Sequence, residues 1–177
     1  MTPFQRVEGG ALFARFGAVE SEIIADLAGQ VADLLDESVT LPDDSLLATV
    51  GIGGGDSAPA DPAVARLLPD AYADDADASR DFRRLTEHSL ATRKIANARL
   101  VELGLRTAGH DGFELDPGAQ QAWLRTLTDI RLVIASRLGI ESDDDRGRHD
   151  TDEQEMLREV YDWLGMVQET LIEALEP

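Results

Sequence analysis

The longest helical repeat in the chain is SRDFRRLTEHSLATRKIANARLVELGLRTA, residues 79–108. Large apolar side chains recur along it at intervals of three and four residues, which is the period of one face of an α-helix. We therefore predict a long amphipathic helix whose apolar stripe faces the protein core. The stripe consists of Phe82, Leu85, Ala96, Leu100 and Leu103, widened by Leu90, Val101 and Leu105.

Three more segments have the same period, and together with the first they decide the fold class. They span about 18–37, 116–138 and 151–175. Asp116 and Thr151 stand where helix N-caps are expected, and Gly139 stands where a helix ends. Asp61-Pro62 has the signature of the start of a short helix. The sequence predicts a mainly α protein: a bundle of four long amphipathic helices plus a short helix.

Residues 1–16 have a different pattern, an alternation on either side of Gly9-Gly10. Alternation about a two-residue glycine turn predicts a two-stranded β-hairpin attached to the bundle. Two stretches, 38–60 and 141–150, have neither period, and we assign them as flexible linkers or loops. We expect residues 1–177 to form a single domain, because the chain has the length of one domain.

The composition excludes several classes of protein. The 177 residues include 35 Asp and Glu against 16 Lys and Arg, a formal net charge of −19, and no cysteine. A charge this negative repels a phosphate backbone and disfavours direct nucleic-acid binding. The absence of cysteine excludes disulfides, thiolate metal sites and thiol catalysis within this chain. No apolar run approaches the length of a membrane span and no basic leader precedes one, so we expect a soluble, cytoplasmic protein that does not bind membranes.

No motif in the sequence predicts catalysis, a metal or a cofactor. The glycine cluster at 51–55 lacks the continuation of a dinucleotide-binding or phosphate-binding loop. His88, His110 and His149 lack the spacing of metal ligands, and the acidic run at 143–145 lacks the glycine and terminal glutamate of a calcium loop. We therefore expect a protein that is not an enzyme and that binds no cofactor or metal.

The few cations are concentrated on the helix predicted at 79–108. Seven of the 16 lie there, although the chain as a whole is acidic. One hypothesis is that the exposed members form a docking surface for an acidic protein partner. The other is that these cations pair with carboxylates of neighbouring helices and of the acidic loops. The residues selected as partner-binding candidates are Arg80, Arg83, Arg84 and Lys94.

Polar residues interrupt the apolar stripe of the same helix. Arg93 falls within it together with Thr86 and Ser89, and a buried guanidinium group requires acceptors. Asp129 and Asp162, on the two following helices, are the candidate counter-charges. We predict a buried polar network of these five residues, and the alternative is a ligand-binding pocket at the same place.

Several motifs, in their order along the chain, resemble a known family. After the glycine hairpin come RLLPDAY at 66–72, FRRLT at 82–86, AWL at 122–124, Asp129 with Arg131, RLGI at 137–140, and YDWLG at 161–165 with Gln168-Glu169. In this order they are similar to the actinobacterial oxidative stress regulator family (AosR-like), which was long catalogued as a domain of unknown function and is often encoded near the protease adaptor ClpS. The resemblance covers nearly the whole chain outside the two acidic breaks.

The resemblance implies a non-enzymatic intracellular regulator that acts by binding another protein. The implied partner is a sigma factor of the extracytoplasmic-function type, with a Clp component as the alternative. Relatives in the redox-responsive branch form a disulfide between closely spaced cysteines, and this cysteine-free chain has no position for that switch. Two other hypotheses remain: a small-molecule-binding or catalytic protein with an interior polar site around Arg93, and a homodimer formed through the hairpin.

Overall fold

The computed structural model describes residues 3–7, 9–38, 59–72, 74–108, 111–142 and 144–176, with every side chain in them except that of Arg84. These residues contain five helices: α1 (Ala18–Ser38), α2 (Pro62–Leu67), α3 (Ala76–Ala108), α4 (Pro117–Leu138) and α5 (Asp152–Leu175). They also contain three strands: β1 (Phe4–Arg6), β2 (Leu12–Ala14) and β3 (Phe113–Leu115). The predicted mainly α fold, with four long helices and a short one, is confirmed. Of the linker predicted at 38–60, residues 39–58 lie outside the described part, and so does the glycine cluster.

The side chains that were predicted to cap helices do so. Asp61 accepts a hydrogen bond from the N–H two residues later at the start of α2, and Asp116 accepts one from the N–H three residues later at the start of α4, both at 2.8 Å. Thr151 caps α5 in the same manner. Gly139 ends α4 in the left-handed conformation, with a φ of 71° that glycine adopts without steric cost. These groups fix the helix ends because they satisfy backbone atoms that the helix itself leaves free.

The predicted N-terminal hairpin is confirmed, and the structure adds a third strand to it. β1 and β2 pair antiparallel with Phe4 opposite Ala14, and Gly9 and Gly10 have φ values of 90° and 85° in the turn. β3 pairs with the other side of β2, which makes β2 the central strand. Arg6 of β1 donates hydrogen bonds to the last carbonyl groups of α5, so the sheet is bound to the end of that helix.

An aromatic cluster joins the sheet to α4. Trp123 has no exposed surface, and its ring centroid lies 5.4 Å from those of Phe4 and Phe16 and 5.8 Å from that of Phe113. Phe4 belongs to β1, Phe16 follows β2, and Phe113 belongs to β3. Trp123 therefore packs α4 against the sheet through large apolar contacts, which are strongly stabilising when buried.

Helices α1 and α3 approach each other closely because both carry small residues on their buried sides. A Cβ atom at Gly29 of α1 would lie only 3.1 Å from Oε1 of Glu102 on α3. The other buried small residues of this pair of helices are Ala25, Ala28, Ala32, Ala91 and Ala98. Small side chains at a helix contact let the two backbones come together, whereas large ones hold them apart.

The predicted buried stripe of α3 is wrong for its main members, which are exposed, whereas Val101 and Leu105, which were predicted to widen it, are buried. Phe82, Leu85, Leu100 and Leu103 are 43%, 60%, 45% and 64% exposed. The buried side of α3 is the opposite one, made of smaller apolar residues and of charged residues that have partners. It consists of Arg83, Glu87, Ala91, Ala98, Val101 and Leu105. The physical reason is the close contact with α1, because large side chains on that side would separate the two helices.

Candidate binding surface on helix α3

The described ranges contain no arrangement typical of a metal centre. Within them, no group of three or more His, Asp or Glu side chains is placed as metal ligands would be. His88 is partly buried on α3 and His149 is exposed in the loop before α5, while His110 lies outside the described residues. None of the helices in these ranges is long and apolar enough to cross a membrane.

Two of the predicted partner-binding cations, both near the start of α3, have acidic partners. Arg80 is exposed and donates a hydrogen bond to Asp77 at 3.0 Å. Arg83 is buried and forms an ion pair with Asp70, in the acidic turn before α3. The side chain of Arg84 lies outside the described part of the chain. Arg83 therefore stabilises the fold, while Arg80 presents an exposed guanidinium group.

Lys94, the fourth of these cations, reaches a buried carboxylate on α4. Its Nζ atom donates to Oδ1 of Asp129 at 2.5 Å, and the Asp129 side chain is only 4% exposed. Burial raises the pKa of the Asp129 carboxyl above its ordinary value, although the Lys94 ammonium and the nearby Arg125 guanidinium act in the opposite direction. The pair thus links α3 to α4, and both of its groups are held by the fold.

The predicted buried network around Arg93 is wrong. Arg93 and Ser89 are exposed, and Ser89 and Thr86 donate their hydroxyl groups to carbonyl oxygens of α3 itself. Asp162 is exposed and pairs with Arg158, one turn away on its own helix, at 3.2 Å.

Asp129 is the member of that set that is buried as predicted, but its partner is Lys94 instead of Arg93. Successive residues of a helix point about 100° apart. The rotation of α3 that turns Lys94 towards α4 therefore turns Arg93 towards solvent.

A groove of about 450 Å³ lies between α3 and α4 beside the Lys94–Asp129 pair. Leu90 and Leu124 supply part of its apolar lining, and Arg93, Lys94 and Arg125 supply three cations. Arg93 and Arg125 form no ion pair with any described residue. The groove is therefore locally basic in a chain whose net charge is −19.

Among the charged residues that line this groove, Arg125 is the one that the sequence patterns did not indicate. Its one sequence signal is its position four residues before Asp129, which places both side chains on the same face of α4. That signal is weak, because a charged pair at this spacing is common on exposed helix faces.

A second surface of α3 is apolar and exposed. It consists of Phe82, Leu85, Leu100 and Leu103, and we call it the exposed stripe. Tyr72, which is 51% exposed, extends it, because its ring meets that of Phe82 edge-on with the centroids 6.1 Å apart. Phe82 with Leu85 and Leu100 with Leu103 thus form an exposed apolar patch towards each end of the stripe, and exposed apolar patches are typical of interaction surfaces when they are large.

Comparisons with known proteins give the chain a family. A family model described as a domain of unknown function (DUF2017) matches residues 1–175. The oxidative stress regulator AosR of Mycobacterium tuberculosis (strain ATCC 25618 / H37Rv) is 30% identical over 172 residues, in an alignment that covers 86% of this chain and 77% of that protein. The putative oxidative stress regulator AosR of Mycobacterium leprae (strain TN) is 28% identical over 170 residues, covering 88% of this chain and 78% of that protein. No solved structure matches the chain.

These similarities confirm the resemblance that the order of motifs along the chain indicated, and a regulatory role is consistent with the names of the relatives. The chain belongs to the DUF2017 family and is similar over most of its length to mycobacterial oxidative stress regulators.

Proposed function

We propose that this protein is a non-enzymatic regulator that acts by binding another protein in the groove between α3 and α4. The observation that carries the proposal is the pair of guanidinium groups, Arg93 and Arg125, that line the groove and form no ion pair with a described residue, although Arg125 lies near enough to Asp129 to act on its carboxyl group. The other described cations of α3 are paired with carboxylates. Arg93 and Arg125 are therefore available to carboxylates of a partner, and the leucines beside them to its apolar side chains.

The partner that we propose is a sigma factor of the extracytoplasmic-function type, the class that the family resemblance implies. An amphipathic helix of such a partner, with carboxylates beside an apolar stripe, has the chemistry that this groove accepts. A Clp component is the alternative partner, and it would require the same chemistry at its contact.

The regulation that we propose does not use a thiol switch. The chain contains no cysteine, and its sulfur is confined to three methionines. Diamide oxidises thiols to disulfides and finds no target in this chain. We therefore expect diamide treatment of this protein alone, followed by its removal, to leave the affinity for the partner unchanged.

The test is a calorimetric titration of the purified protein with purified sigma factors of its own organism. Charge reversal of both groove cations, Arg93→Glu with Arg125→Glu, is expected to lower the affinity at least tenfold, on the order of the effect of close interfacial charges. The matched control reverses two exposed cations in the loop before α5, Arg146→Glu with Arg148→Glu. It makes the same change in net charge and is expected to alter the affinity by less than about twofold.

Two outcomes would contradict parts of this proposal. A groove variant that binds the sigma factor as tightly as the wild type would show that the groove is not the contact. The second outcome is that no sigma factor binds, whereas a Clp component co-purifies with the protein and this co-purification depends on Arg93 and Arg125. In that case the groove is the contact, but the partner is the Clp component.

A small anionic ligand is the second candidate for the same groove. The volume of about 450 Å³ is within the range of small-molecule sites, and guanidinium groups bind phosphate and carboxylate groups well. Thermal unfolding with inorganic phosphate as the probe tests this candidate. A rise in Tm for the wild type but not for the double variant would favour it over a protein partner, and equal responses would exclude it.

A further inference from the structure

The side chains of the exposed stripe of α3 remain 43% to 64% exposed beside the described part of the chain. Its four large side chains lie opposite the buried face of the helix, as expected from a rotation of about 100° per residue. The buried face holds α3 against α1 and α4. The exposed stripe is thus the outer side of a helix that is firmly anchored on its inner side.

The exposed stripe is symmetric about its own midpoint, which lies between Thr92 and Arg93. Phe82 precedes that point by as many residues as Leu103 follows it, and the same is true of Leu85 and Leu100. The small residues between them keep the pattern, because Ser89 and Ala96 are also equally distant from the midpoint. The stripe therefore has large apolar side chains towards both ends and small ones in the middle, with Arg93 at one edge of that middle part.

This symmetry is what a contact between two identical helices in opposite directions requires. In a dimer whose two-fold axis passes through the midpoint, a residue before the midpoint in one copy lies opposite the residue that is equally far after the midpoint in the second copy. An antiparallel pair of α3 helices with the two-fold axis at the midpoint brings Phe82 against Leu103 of the second copy and Leu85 against Leu100. The small central residues then allow the two helices to approach closely.

The charges along one edge of the stripe agree with the same arrangement. Asp77, Asp81 and Arg106 lie on this edge of α3. In the antiparallel pair, Arg106 of the second copy comes opposite Ser79, between the two aspartates of the first. On the other edge Arg93 comes near its own symmetry mate, where its exposed side chain can turn into solvent. Arg106 already pairs with Asp26 and Glu102 of its own chain, so Asp77 and Asp81 of the second copy extend an existing ion-pair network at two symmetric places.

The size of the contact predicts a weak dimer. A helix of 33 residues is about 50 Å long and about 10 Å wide, so a contact along its length buries on the order of 1,000 Å² in total. That area is near the lower limit for a specific interface. From these observations we infer that the protein forms an antiparallel homodimer through the exposed stripe of α3, with dissociation at micromolar concentration.

Sedimentation velocity over a range of concentrations tests the dimer. We expect a monomer–dimer equilibrium in the wild type, and a monomer throughout for the Leu85→Lys, Leu100→Lys double variant, because the new charges face each other across the axis. The matched control is Met156→Lys with Met166→Lys, two exposed methionines of α5, and it should dimerise like the wild type. Circular dichroism checks that both variants fold.

The absence of cysteine allows a direct test of the register. A Leu85→Cys variant and a Leu100→Cys variant, mixed and treated with a short bismaleimide, should give a cross-linked dimer. Neither variant alone should do so, because equivalent positions of the two copies are then roughly 22 Å apart along the helix axis.

Three results would overturn the inference. They are a monomer at every concentration, a dimer that survives the two leucine-to-lysine changes, and cross-linking of each cysteine variant with itself. The second would point to the hairpin instead, and the third to a parallel pair. Binding of a partner in the α3–α4 groove is measured separately, so either proposal can fail alone.

Discussion

The Nζ atom of Lys94 on α3 lies 2.5 Å from Oδ1 of Asp129 on α4, and that carboxylate is almost completely buried. A buried carboxylate requires a counter-charge, so this pair, together with the close contact between α1 and α3, fixes the rotation of α3 about its own axis. The same rotation places Arg93 at the solvent-exposed edge of the groove and leaves the large apolar side chains of α3 exposed. Both proposed binding surfaces therefore depend on the fold that this pair holds.

Removal of Lys94 should destabilise the protein. Lys94→Met leaves Asp129 buried without its partner, and we expect a loss of about 3 kcal/mol in the free energy of unfolding, measured by urea denaturation. The double variant Lys94→Met with Asp129→Leu should recover most of that loss, because no charge is then buried. Arg80→Met is the control for an exposed pair and should change stability by less than about 1 kcal/mol. Equal effects of Lys94→Met and Arg80→Met would contradict the role of the buried pair.

Two aspartates should affect stability in opposite directions as the pH falls. Burial raises the pKa of Asp129 above its ordinary 3.8, so below the raised pKa the folded protein binds a proton that the unfolded chain does not. Relative to Asp129→Asn, the wild type should therefore gain stability as the pH falls from the raised pKa towards 3.8. The hydrogen bond from Arg137 lowers the pKa of Asp61, and the stability that this group contributes should be lost as the pH falls below 3.8.

Urea titrations of the two asparagine variants and the wild type at a series of pH values measure both effects. The stability of the wild type relative to each asparagine variant should rise at Asp129 and fall at Asp61 as the pH is lowered. A change in the same direction at both positions would contradict the environments described for them.

The close contact of α1 with α3 predicts opposite effects for two glycine substitutions. Gly29→Leu places a large side chain where a Cβ atom alone would lie 3.1 Å from Glu102, and it should cost roughly 1–3 kcal/mol. Gly104→Ala lies within α3, and its Cβ would have its nearest neighbour, in the ring of Phe113, at 3.9 Å. It should stabilise the protein by up to about 1 kcal/mol through helix propensity. Thermal unfolding measures whether each variant is less or more stable than the wild type. A Gly29→Leu variant as stable as the wild type would contradict the close contact of α1 with α3.

The two faces of α3 should respond differently to truncation. Val101→Ala removes two methyl groups from a fully buried position and should cost roughly 2 kcal/mol. Leu103→Ala, two residues later, removes more atoms from a side chain that is 64% exposed, and should cost less than about 0.5 kcal/mol in the monomer. Urea denaturation at low protein concentration compares them, and the reverse order would mean that the side of α3 with Phe82, Leu85, Leu100 and Leu103 is the buried one.

The sequence by itself determined the helix ends and the hairpin, because these are set by interactions between residues close together in the chain. The caps Asp61, Asp116 and Thr151 and the terminator Gly139 set helix ends through bonds to atoms a few residues away, so their effect can be read from spacing. The Gly9-Gly10 turn set the hairpin for the same reason. The third strand, β3, was missed because three residues carry too little pattern and its partner is about a hundred residues distant in the chain.

Only the tertiary structure decided which side of α3 is buried. The helical period of Phe82, Leu85, Leu100 and Leu103 is real, but it shows only that these residues share a face and not what covers that face. The buried side was chosen by the small residues of α1 and by the carboxylate of Asp129, both distant in sequence from α3. A helix with two apolar faces is ambiguous until its neighbours are in place, because burial depends on the contacts that the whole chain makes and not on the sequence of one segment.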